Sequence, residues 1–214
     1  KQWVRRLDGC AGPRLCEVLE DGRIVLVFSE HALLLRHDGS QEELWAMPPS
    51  WDDSVYCAVL SACKRQLFLA SSSGRGICLT TLSMRPEWNV DKLPDPDIVV
   101  PLEAEAGKQL FAVVETFGEV AVLDGANGRS ISSGKIWPPP ADVPGFATLG
   151  DEFADASLSA ACFNVWGGDA RLFVAFDDCI LCVHPTSLSP IWALGSLTKS
   201  CGGGDTLTID RMSV

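Results

Sequence analysis

Apolar residues in this chain are concentrated in short runs that recur along the sequence, and a tryptophan follows each run. The runs occupy residues 22–28, 65–70, 108–114 and 171–176. The tryptophans that follow them are Trp45, Trp88, Trp137 and Trp192. Aligned on Ile24, Leu67, Leu110 and Leu172, the runs are 43, 43 and 62 residues apart, and the tryptophans follow after 21, 21, 27 and 20 residues. This spacing indicates that the chain consists of four related units.

Each unit divides into four strand-length segments separated by Gly, Asp, Ser or Pro, the residues that favour turns. The inner segments are nearly continuous apolar runs, as expected for a sheet that is covered on both faces. A period in the low forties with short strands is typical of the blades of a β-propeller. We therefore predict an all-β chain, a β-propeller with four-stranded blades at about residues 14–47, 54–93, 97–137 and 155–193. The alternative is an unrelated β-sandwich with evenly spaced strands.

The period continues beyond these four blades. Trp3 lies 21 residues before Ile24, where the tryptophan of a preceding unit would be, and residues 204–212 lie where a following unit would begin. We predict that residues 1–7 and 204–212 contribute strands to a closing blade of a single domain, residues 1–214. Two arrangements are open: a five-bladed ring with a thin closing blade, or a segment of a propeller with more blades. We favour the second arrangement.

The extra length before the fourth unit lies in residues 138–153, which begin with three consecutive prolines. Such a run favours an extended segment with few backbone hydrogen bonds. One interpretation is a solvated loop on the rim of the propeller. The other is a docking segment in which Phe146 and Phe153 anchor a partner.

The third unit resembles the repeat of quinoprotein-type propellers. In that repeat, an apolar strand is followed by a glycine turn, a strand that ends in Leu-Asp, an Asn-Gly turn and a tryptophan. The matching residues are Gly118, Leu123, Asp124, Asn127, Gly128 and Trp137. In blade length the chain also resembles WD-repeat proteins, although its single Trp-Asp pair, Trp51-Asp52, lies out of register and no Gly-His pair occurs. The resemblance implies the fold alone, because one fold serves many functions.

The charge balance favours some classes of partner over others. The chain has 17 Lys and Arg against 28 Asp and Glu, a formal net charge of −11. This excess disfavours direct binding to nucleic acid, which needs clustered basic residues, and it favours partners with a basic surface. No uninterrupted run of 18 apolar residues occurs, so we expect no membrane span.

Cysteine usage indicates the compartment. The nine cysteines are an odd number, and most of them lie within apolar runs, where a free cysteine behaves as a small apolar residue. Secreted disulfide scaffolds are usually smaller and contain an even number of cysteines. We therefore expect a reducing compartment, the cytoplasm or the nucleus.

No residue pattern indicates a catalytic or metal site. Cys179 and Cys182 have the spacing of half a zinc site, but residues three apart on a strand point to opposite faces. No second pair with that spacing occurs. The three histidines, His31, His37 and His184, are expected in exposed turns. The adjacent cysteine pair of quinoprotein dehydrogenases is also absent. We expect no catalytic residue, no metal ligand and no cofactor.

These observations indicate a non-catalytic scaffold that binds other protein subunits within a larger complex. The four repeated tryptophans are expected to pack between blades, whereas Trp51 and Trp166 lie outside their register. The candidate partner-binding residues are therefore Trp51, Phe146, Phe153 and Trp166. The alternative is a small-molecule or sugar-binding propeller, or the propeller domain of a larger enzyme. A scaffold should expose an apolar patch, whereas an enzyme should bring together several carboxylates with perturbed pKa values.

Overall fold

Four separate sheets make up the described part of the chain. The computed structural model describes residues 12–49, 51, 53–104, 107–145, 156–166, 169–177 and 179–194. Within these ranges, sixteen strands form four antiparallel sheets of four strands, and consecutive strands are neighbours in every sheet. The predicted all-β architecture of four-stranded units is confirmed.

The four sheets follow one another along the chain. The first contains β1 (Leu15–Val18), β2 (Ile24–Val27), β3 (His31–Leu35) and β4 (Gln41–Ala46). The second contains β5 (Val55–Leu60), β6 (Gln66–Ser71), β7 (Gly76–Thr80) and β8 (Pro86–Val90). The third contains β9 (Ile98–Ala104), β10 (Lys108–Val114), β11 (Glu119–Asp124) and β12 (Ser130–Lys135). The fourth contains β13 (Leu158–Trp166), β14 (Asp169–Phe176), β15 (Cys179–Val183) and β16 (Pro190–Leu194).

The second sheet shows why the inner strands are apolar at almost every position. On β6, Leu67 and Leu69 pack into an apolar cluster shared with the first sheet. The intervening Phe68 points to the opposite face and packs into a cluster shared with the third sheet. Because side chains alternate between the two faces of a strand, a strand that is covered on both faces must be apolar throughout. A further cluster, which includes Val122 and Val174, lies between the third and fourth sheets.

The sheets have two distinct ends and a common outer edge. Since the strands alternate in direction, the turn between the second and third strands lies at the same end as the connection to the next sheet. We call this the connection end. Contacts between neighbouring sheets join β5 to β9 and β9 to β13, the first strands of their sheets. The first strands are therefore innermost, and the last strands, β4, β8, β12 and β16, form the outer edges.

Trp88 on β8 forms a wedge between the second and third sheets. Its indole Nε1 donates a hydrogen bond to the backbone oxygen of Gly125, 2.7 Å away. Its ring centre lies 5.5 Å from that of Phe68 in its own sheet and 6.3 Å from that of Phe111 in the third sheet. Gly128 packs against the indole at φ 70°, and an added Cβ would clash with Trp88 Cε3. The glycine of the Asn-Gly pair in the third unit is therefore favoured by the indole of the second.

The equivalent turn position carries a large side chain in two other sheets. Met84 in the second sheet and Leu188 in the fourth also have positive φ values, 51° and 56°. Their side chains are buried in the apolar clusters shared with the preceding sheets. At this turn position the following sheet thus provides either a glycine, against which the tryptophan of the preceding sheet packs, or a large buried side chain. A tryptophan near the end of the preceding sheet is buried in the same cluster as the large side chain as well, Trp45 with Met84 and Trp137 with Leu188.

The four repeated tryptophans do not occupy equivalent positions, so the common register expected from their spacing is wrong. Trp88 and Trp192 directly follow the bulge in their strands, and Trp45 lies two residues further along its strand. Trp137 lies beyond the end of β12, which accounts for its longer offset. It is nevertheless buried, and it stacks on Phe176 of the fourth sheet with ring centres 4.6 Å apart.

Several features expected from the sequence fall outside the described residues. These are the two strands of the closing blade, at residues 1–7 and 204–212, and the second half of the insertion at 138–153. In the described first half, Val143 is buried in the cluster between the third and fourth sheets. The carbonyl oxygen of Pro144 accepts a hydrogen bond from the N–H of Ala193 at 2.8 Å. The start of the insertion therefore packs against β16. Among the described residues, no helix is long and apolar enough to cross a membrane.

We expect that a large side chain at position 128 can fill the space that the indole of Trp88 now occupies. Trp88→Ala should lower the free energy of unfolding by about 3 kcal/mol through the cavity that it leaves, and Gly128→Met should lower it by about 2 kcal/mol through overpacking. In the double variant, the methionine side chain should fill the vacated space, as Met84 does in the second sheet. Urea denaturation should then show a combined loss smaller than the sum of the single losses by at least ~1 kcal/mol.

The matched control is Gly134→Met, because no atom lies within 4 Å of a Cβ added at Gly134. This variant should change the free energy of unfolding by only a few tenths of a kcal/mol, as is usual at surface positions. Additive losses in the Trp88 and Gly128 double variant would contradict the proposed exchange of side chains.

Candidate functional site: an acidic groove at the connection end

A groove with an exposed aromatic ring lies between the second and third sheets at the connection end. Its cavity volume is about 530 Å³, and it is lined by Leu93, Pro94, Asp95, Glu115, Phe117, Glu119 and Lys135. Phe117, in the turn between β10 and β11, is 59% exposed. Three carboxylates and one ammonium group line the same cavity. We call this cavity the acidic groove.

Hydrogen bonds hold the turn that carries Phe117. The Oε2 atom of Glu115 accepts a hydrogen bond from the backbone N–H of Phe117 at 3.1 Å. Asp97, just before β9, accepts one from the backbone N–H of Thr116 at 2.6 Å and another from the Thr116 hydroxyl. Because hydrogen bonds brace this turn from both sides, the backbone that presents the ring of Phe117 to solvent is already ordered. Binding a partner there therefore costs little further conformational entropy.

Negative charge is concentrated at the connection end of the described sheets. The acidic residues there are Glu30, Asp53, Asp91, Asp95, Asp97, Glu115, Glu119, Asp142 and Asp177. The basic residues there are Arg14, Arg75, Lys92 and Lys135. At the opposite end, basic residues such as Arg36, Arg85 and Arg129 are interspersed with acidic ones. The electrostatic potential is therefore negative at the connection end in particular.

Asp53 braces a turn of the second sheet in the way that Asp97 braces the turn beside Phe117. Its Oδ1 accepts hydrogen bonds from the Ser54 N–H at 2.7 Å and the Ser72 hydroxyl at 2.6 Å, and its Oδ2 accepts one from the Ser73 N–H at 2.6 Å. Burial raises the pKa of Asp53, but the hydrogen bonds from the three serines outweigh burial and hold the pKa well below its usual range. This carboxylate is therefore ionised and already engaged in its own turn.

The remaining described carboxylates with a shifted pKa lie at the opposite end and do not converge. A side-chain hydrogen bond from Arg23 lowers the pKa of Asp21, and Lys108, 2.8 Å away, lowers that of Asp124. Hydrogen bonds from Ser40 lower the pKa of Asp38 in a third turn. Each of these carboxylates stabilises the turn in which it lies.

Of the four residues expected from the sequence to bind a partner, only Trp51 has a described side chain, so the expectation stays a prediction. Phe146 and Phe153 lie outside the described ranges. Trp166 ends β13, and its side chain is not among those described. Trp51 is half-buried in the connection between the first two sheets, where it packs against their shared core. It lines two adjacent cavities of about 290 and 350 Å³, together with Pro48.

Phe117 was not singled out by its sequence pattern, although a local signal exists. Phe117 lies in a short turn, beside Gly118, between two apolar strands. An apolar residue in such a turn is unusual, because turns favour polar residues. Apolar residues within a period are readily assigned to the core. Whether this one is buried depends on the hairpin geometry, which places it beyond the ends of β10 and β11.

Three of the described cysteines, Cys78, Cys179 and Cys182, are buried packing residues, whereas Cys16 and Cys63 are exposed. Cys179 belongs to the core cluster between the third and fourth sheets, whereas Cys182 lines a cavity on the opposite face with Trp192. Burial, together with the nearby charge of Asp97, raises the pKa of Cys57 to about 12. Within the described ranges, no group of three or more Cys, His, Asp or Glu residues is placed to hold a metal ion.

One histidine differs from its expected place. His37 and His184 are exposed at turns, but His31 is the first residue of β3 and stacks on Phe28 with ring centres 4.8 Å apart. His31 directly follows Ser29 and Glu30, polar residues that are compatible with a turn. The stacking of its ring on Phe28 explains why His31 joins the strand instead.

The bracing of the second sheet by Asp53 should make stability depend on pH. In Asp53→Asn, the loss of charge-assisted hydrogen bonds should lower the free energy of unfolding by about 2 kcal/mol at neutral pH. Because the pKa of Asp53 is lower in the folded chain than its usual value of 3.8, its contribution is complete above that value and is lost as the pH falls below it. Thermal unfolding from pH 7 to pH 3 should show a difference between the two proteins that is constant down to about pH 4 and begins to narrow below it.

Asp91→Asn is the control, since Asp91 is an exposed carboxylate in the next connection. Its unfolding midpoint should follow that of the unaltered chain at every pH. A difference between Asp53→Asn and the unaltered chain that stays constant down to pH 3 would contradict the assigned role of the Asp53 charge.

Comparison with known proteins shows the fold. No protein-family model matches this chain, and no curated protein sequence matches it significantly. Among solved structures, BBS1N in complex with ARL6DN aligns with a TM-score of 0.60 and 12% identity over 86% of this chain and 55% of that one. BamB from Moraxella catarrhalis aligns with a TM-score of 0.58 and 12% identity, over 84% of this chain and 47% of that one. AztD from Citrobacter koseri, in its apo form, aligns with a TM-score of 0.57 and 12% identity, over 88% and 48%.

This chain spans about half the length of each of these structures. They are β-propellers with four-stranded sheets. At this level of identity the likeness shows the fold alone, and it agrees with the four consecutive four-stranded sheets described above. The chain therefore has a divergent β-propeller fold.

Proposed function

We propose that this chain is a non-catalytic scaffold that binds another protein subunit at the connection end of its sheets. The observation that carries the proposal is the acidic groove, where the exposed ring of Phe117 is surrounded by Asp95, Glu115 and Glu119. Aromatic residues are enriched among the residues that dominate binding energy at protein interfaces. Surrounding charge of one sign selects a partner of the opposite sign and speeds its encounter.

The proposed partner is therefore a protein with a basic surface, and nucleic acid is disfavoured by the net charge of −11. A neighbour of the same fold, BBS1N, was solved with a protein bound to it, ARL6DN. That example supports protein binding as a use of this fold. We place the proposed scaffold in the cytoplasm or the nucleus because Cys78, Cys179 and Cys182 are buried thiols within strands.

Affinity purification of the tagged, full-length protein from its own cells should recover a partner in stoichiometric amount. The groove variant Phe117→Ser with Glu119→Lys should lose most of that partner, since it removes the exposed ring and reverses a charge. Recovery from the unaltered protein should also fall as salt is raised from about 0.1 to 0.5 M, because salt screens exposed charges.

The control is Leu82→Ser, which removes an apolar side chain that is 69% exposed in a turn at the opposite end. This variant should keep the partner. A protein that purifies alone with a tightly retained small ligand would overturn the proposal in favour of a small-molecule-binding propeller. If the groove variant recovered as much partner as the unaltered protein does, the acidic groove would not be the binding site.

A further inference from the structure

The outer edges of the four sheets differ in how well they are protected against pairing with another chain. An exposed edge strand presents unpaired backbone groups, and proteins usually protect it with charge, proline or a covering segment. Every edge strand here has a one-residue bulge. The bulged residues are Glu42 in β4, Glu87 in β8, Ile131 in β12 and Ile191 in β16. The first two edges are therefore protected by charge.

The edge of β16 is protected by a covering segment. The backbone N–H of Ala193 points away from β15 and donates a hydrogen bond to the carbonyl oxygen of Pro144, 2.8 Å away. Ala193 is buried as a result, and β16 also begins with Pro190. A proline-containing turn thus already lies against one outer edge of this fold.

Among the described residues, the edge of β12 has no covering segment and no charge at its bulge, and its one charged residue is Lys135 at the last position. The strand reads Ser-Ile-Ser-Ser-Gly-Lys, with no proline and no carboxylate, and five of its six residues are exposed. Its bulged residue, Ile131, is an apolar side chain with 39% exposure. In exposure β12 does not differ from β4, which also has five of six residues exposed and carries Leu44 at 52% exposure. What makes β12 the more open to an added strand is the apolar residue at its bulge, where β4 has Glu42.

The backbone of β12 is oriented to accept such a strand. The N–H of Ile136, just after the strand, donates to the oxygen of Gly118 across the sheet at 2.8 Å. Because the direction of these groups alternates along an antiparallel strand, the N–H and C=O groups of Ser133 and Lys135 point outward. By register, Ser133 is the equivalent of Ala193 in the fourth sheet, where the outward N–H is already used by Pro144.

The β12 edge is continuous with the acidic groove. Lys135, the last residue of β12, lines the groove and lies opposite Glu119 in the strand ladder. The carboxylates of Asp95, Glu115 and Glu119 therefore outnumber the one ammonium group at that end of the strand. A segment added to β12 would therefore place its side chains beside Ile131 at one end and beside these carboxylates at the other.

We propose that β12 accepts an extended segment of a partner protein as a fifth strand, with apolar side chains beside Ile131 and a basic side chain in the acidic groove. This mode of recognition draws affinity from main-chain hydrogen bonds and specificity from the side chains. It rests on the proposed scaffold function, and it identifies the part of the partner that is bound. A second copy of this chain is disfavoured as the occupant, because two chains with a net charge of −11 each would bring two acidic grooves together.

The test uses the full-length protein as bait for a displayed library of random twelve-residue peptides. Enriched peptides should combine apolar residues with Lys or Arg and should lack Asp and Glu. A synthetic enriched peptide, measured by fluorescence anisotropy, should bind Ser133→Pro about tenfold more weakly or worse, because proline removes the outward N–H. It should bind Ile131→Glu more weakly by a similar factor, because this variant replaces the apolar contact with a charge at the edge. Hydrogen exchange with the peptide bound should slow at the amides of Ser133 and Lys135.

The matched control is Asn89→Pro, which places the same substitution at the equivalent outward position of β8. It should bind the peptide like the unaltered chain. The second variant, Ile131→Glu, keeps the test valid if Ser133→Pro does not fold, because it recreates the glutamate found at the bulges of β4 and β8.

Three outcomes would overturn the proposal. They are a peptide affinity of both β12 variants that equals the affinity of the unaltered chain, an enriched set of acidic peptides, and no enrichment at all. Self-association that Ser133→Pro abolishes would also overturn it, in favour of a second copy as the occupant.

Failure of this proposal can be told apart from failure of the scaffold function. If the co-purified partner is lost with the groove variant but retained by Ser133→Pro and Ile131→Glu, the scaffold function holds and the added strand is wrong. If the unaltered protein recovers no partner in stoichiometric amount, the scaffold function itself fails.

Discussion

The fold depends on the burial of both faces of each inner sheet against the neighbouring sheets. On β6 the side chains of Leu67 and Phe68 point in opposite directions, and both are fully buried. A four-stranded sheet of this kind cannot shield its own apolar faces, so its stability depends on its neighbours. The wedge formed by Trp88 and Gly128 is one solution to the fit between two twisted sheets, and the side chains of Met84 and Leu188 are another.

This constraint explains how much the sequence could predict. The near-continuous apolar runs follow directly from two-sided burial, so the period and the four-stranded units are visible in the sequence. The positions of the tryptophans are less constrained, because the space between sheets can be filled from either side. Trp137 therefore follows β12 while Trp88 lies within β8. The exposure of Phe117 was not predictable from its type, since it depends on the turn that Glu115 and Asp97 brace.

The same constraint limits where a binding function can lie. The faces of the inner sheets are occupied by packing, and what is left is the two ends and the outer edges. Charge separates the two ends, since carboxylates predominate at the connection end, where Asp53 and Asp97 also accept the hydrogen bonds that order the turns. Their negative charge therefore serves two purposes: it stabilises the turns, and it contributes to the field around the exposed ring of Phe117.

The outer edges carry a signal that periodicity does not. A bulged residue on an edge strand lies outside the regular ladder, so its identity is not fixed by packing between sheets. Glutamate at Glu42 and Glu87 is what avoidance of edge pairing requires, and Ile131 departs from that requirement at a strand that no described segment covers. Since burial does not explain the exposed isoleucine, an added strand that covers it gives this residue a physical reason to be apolar.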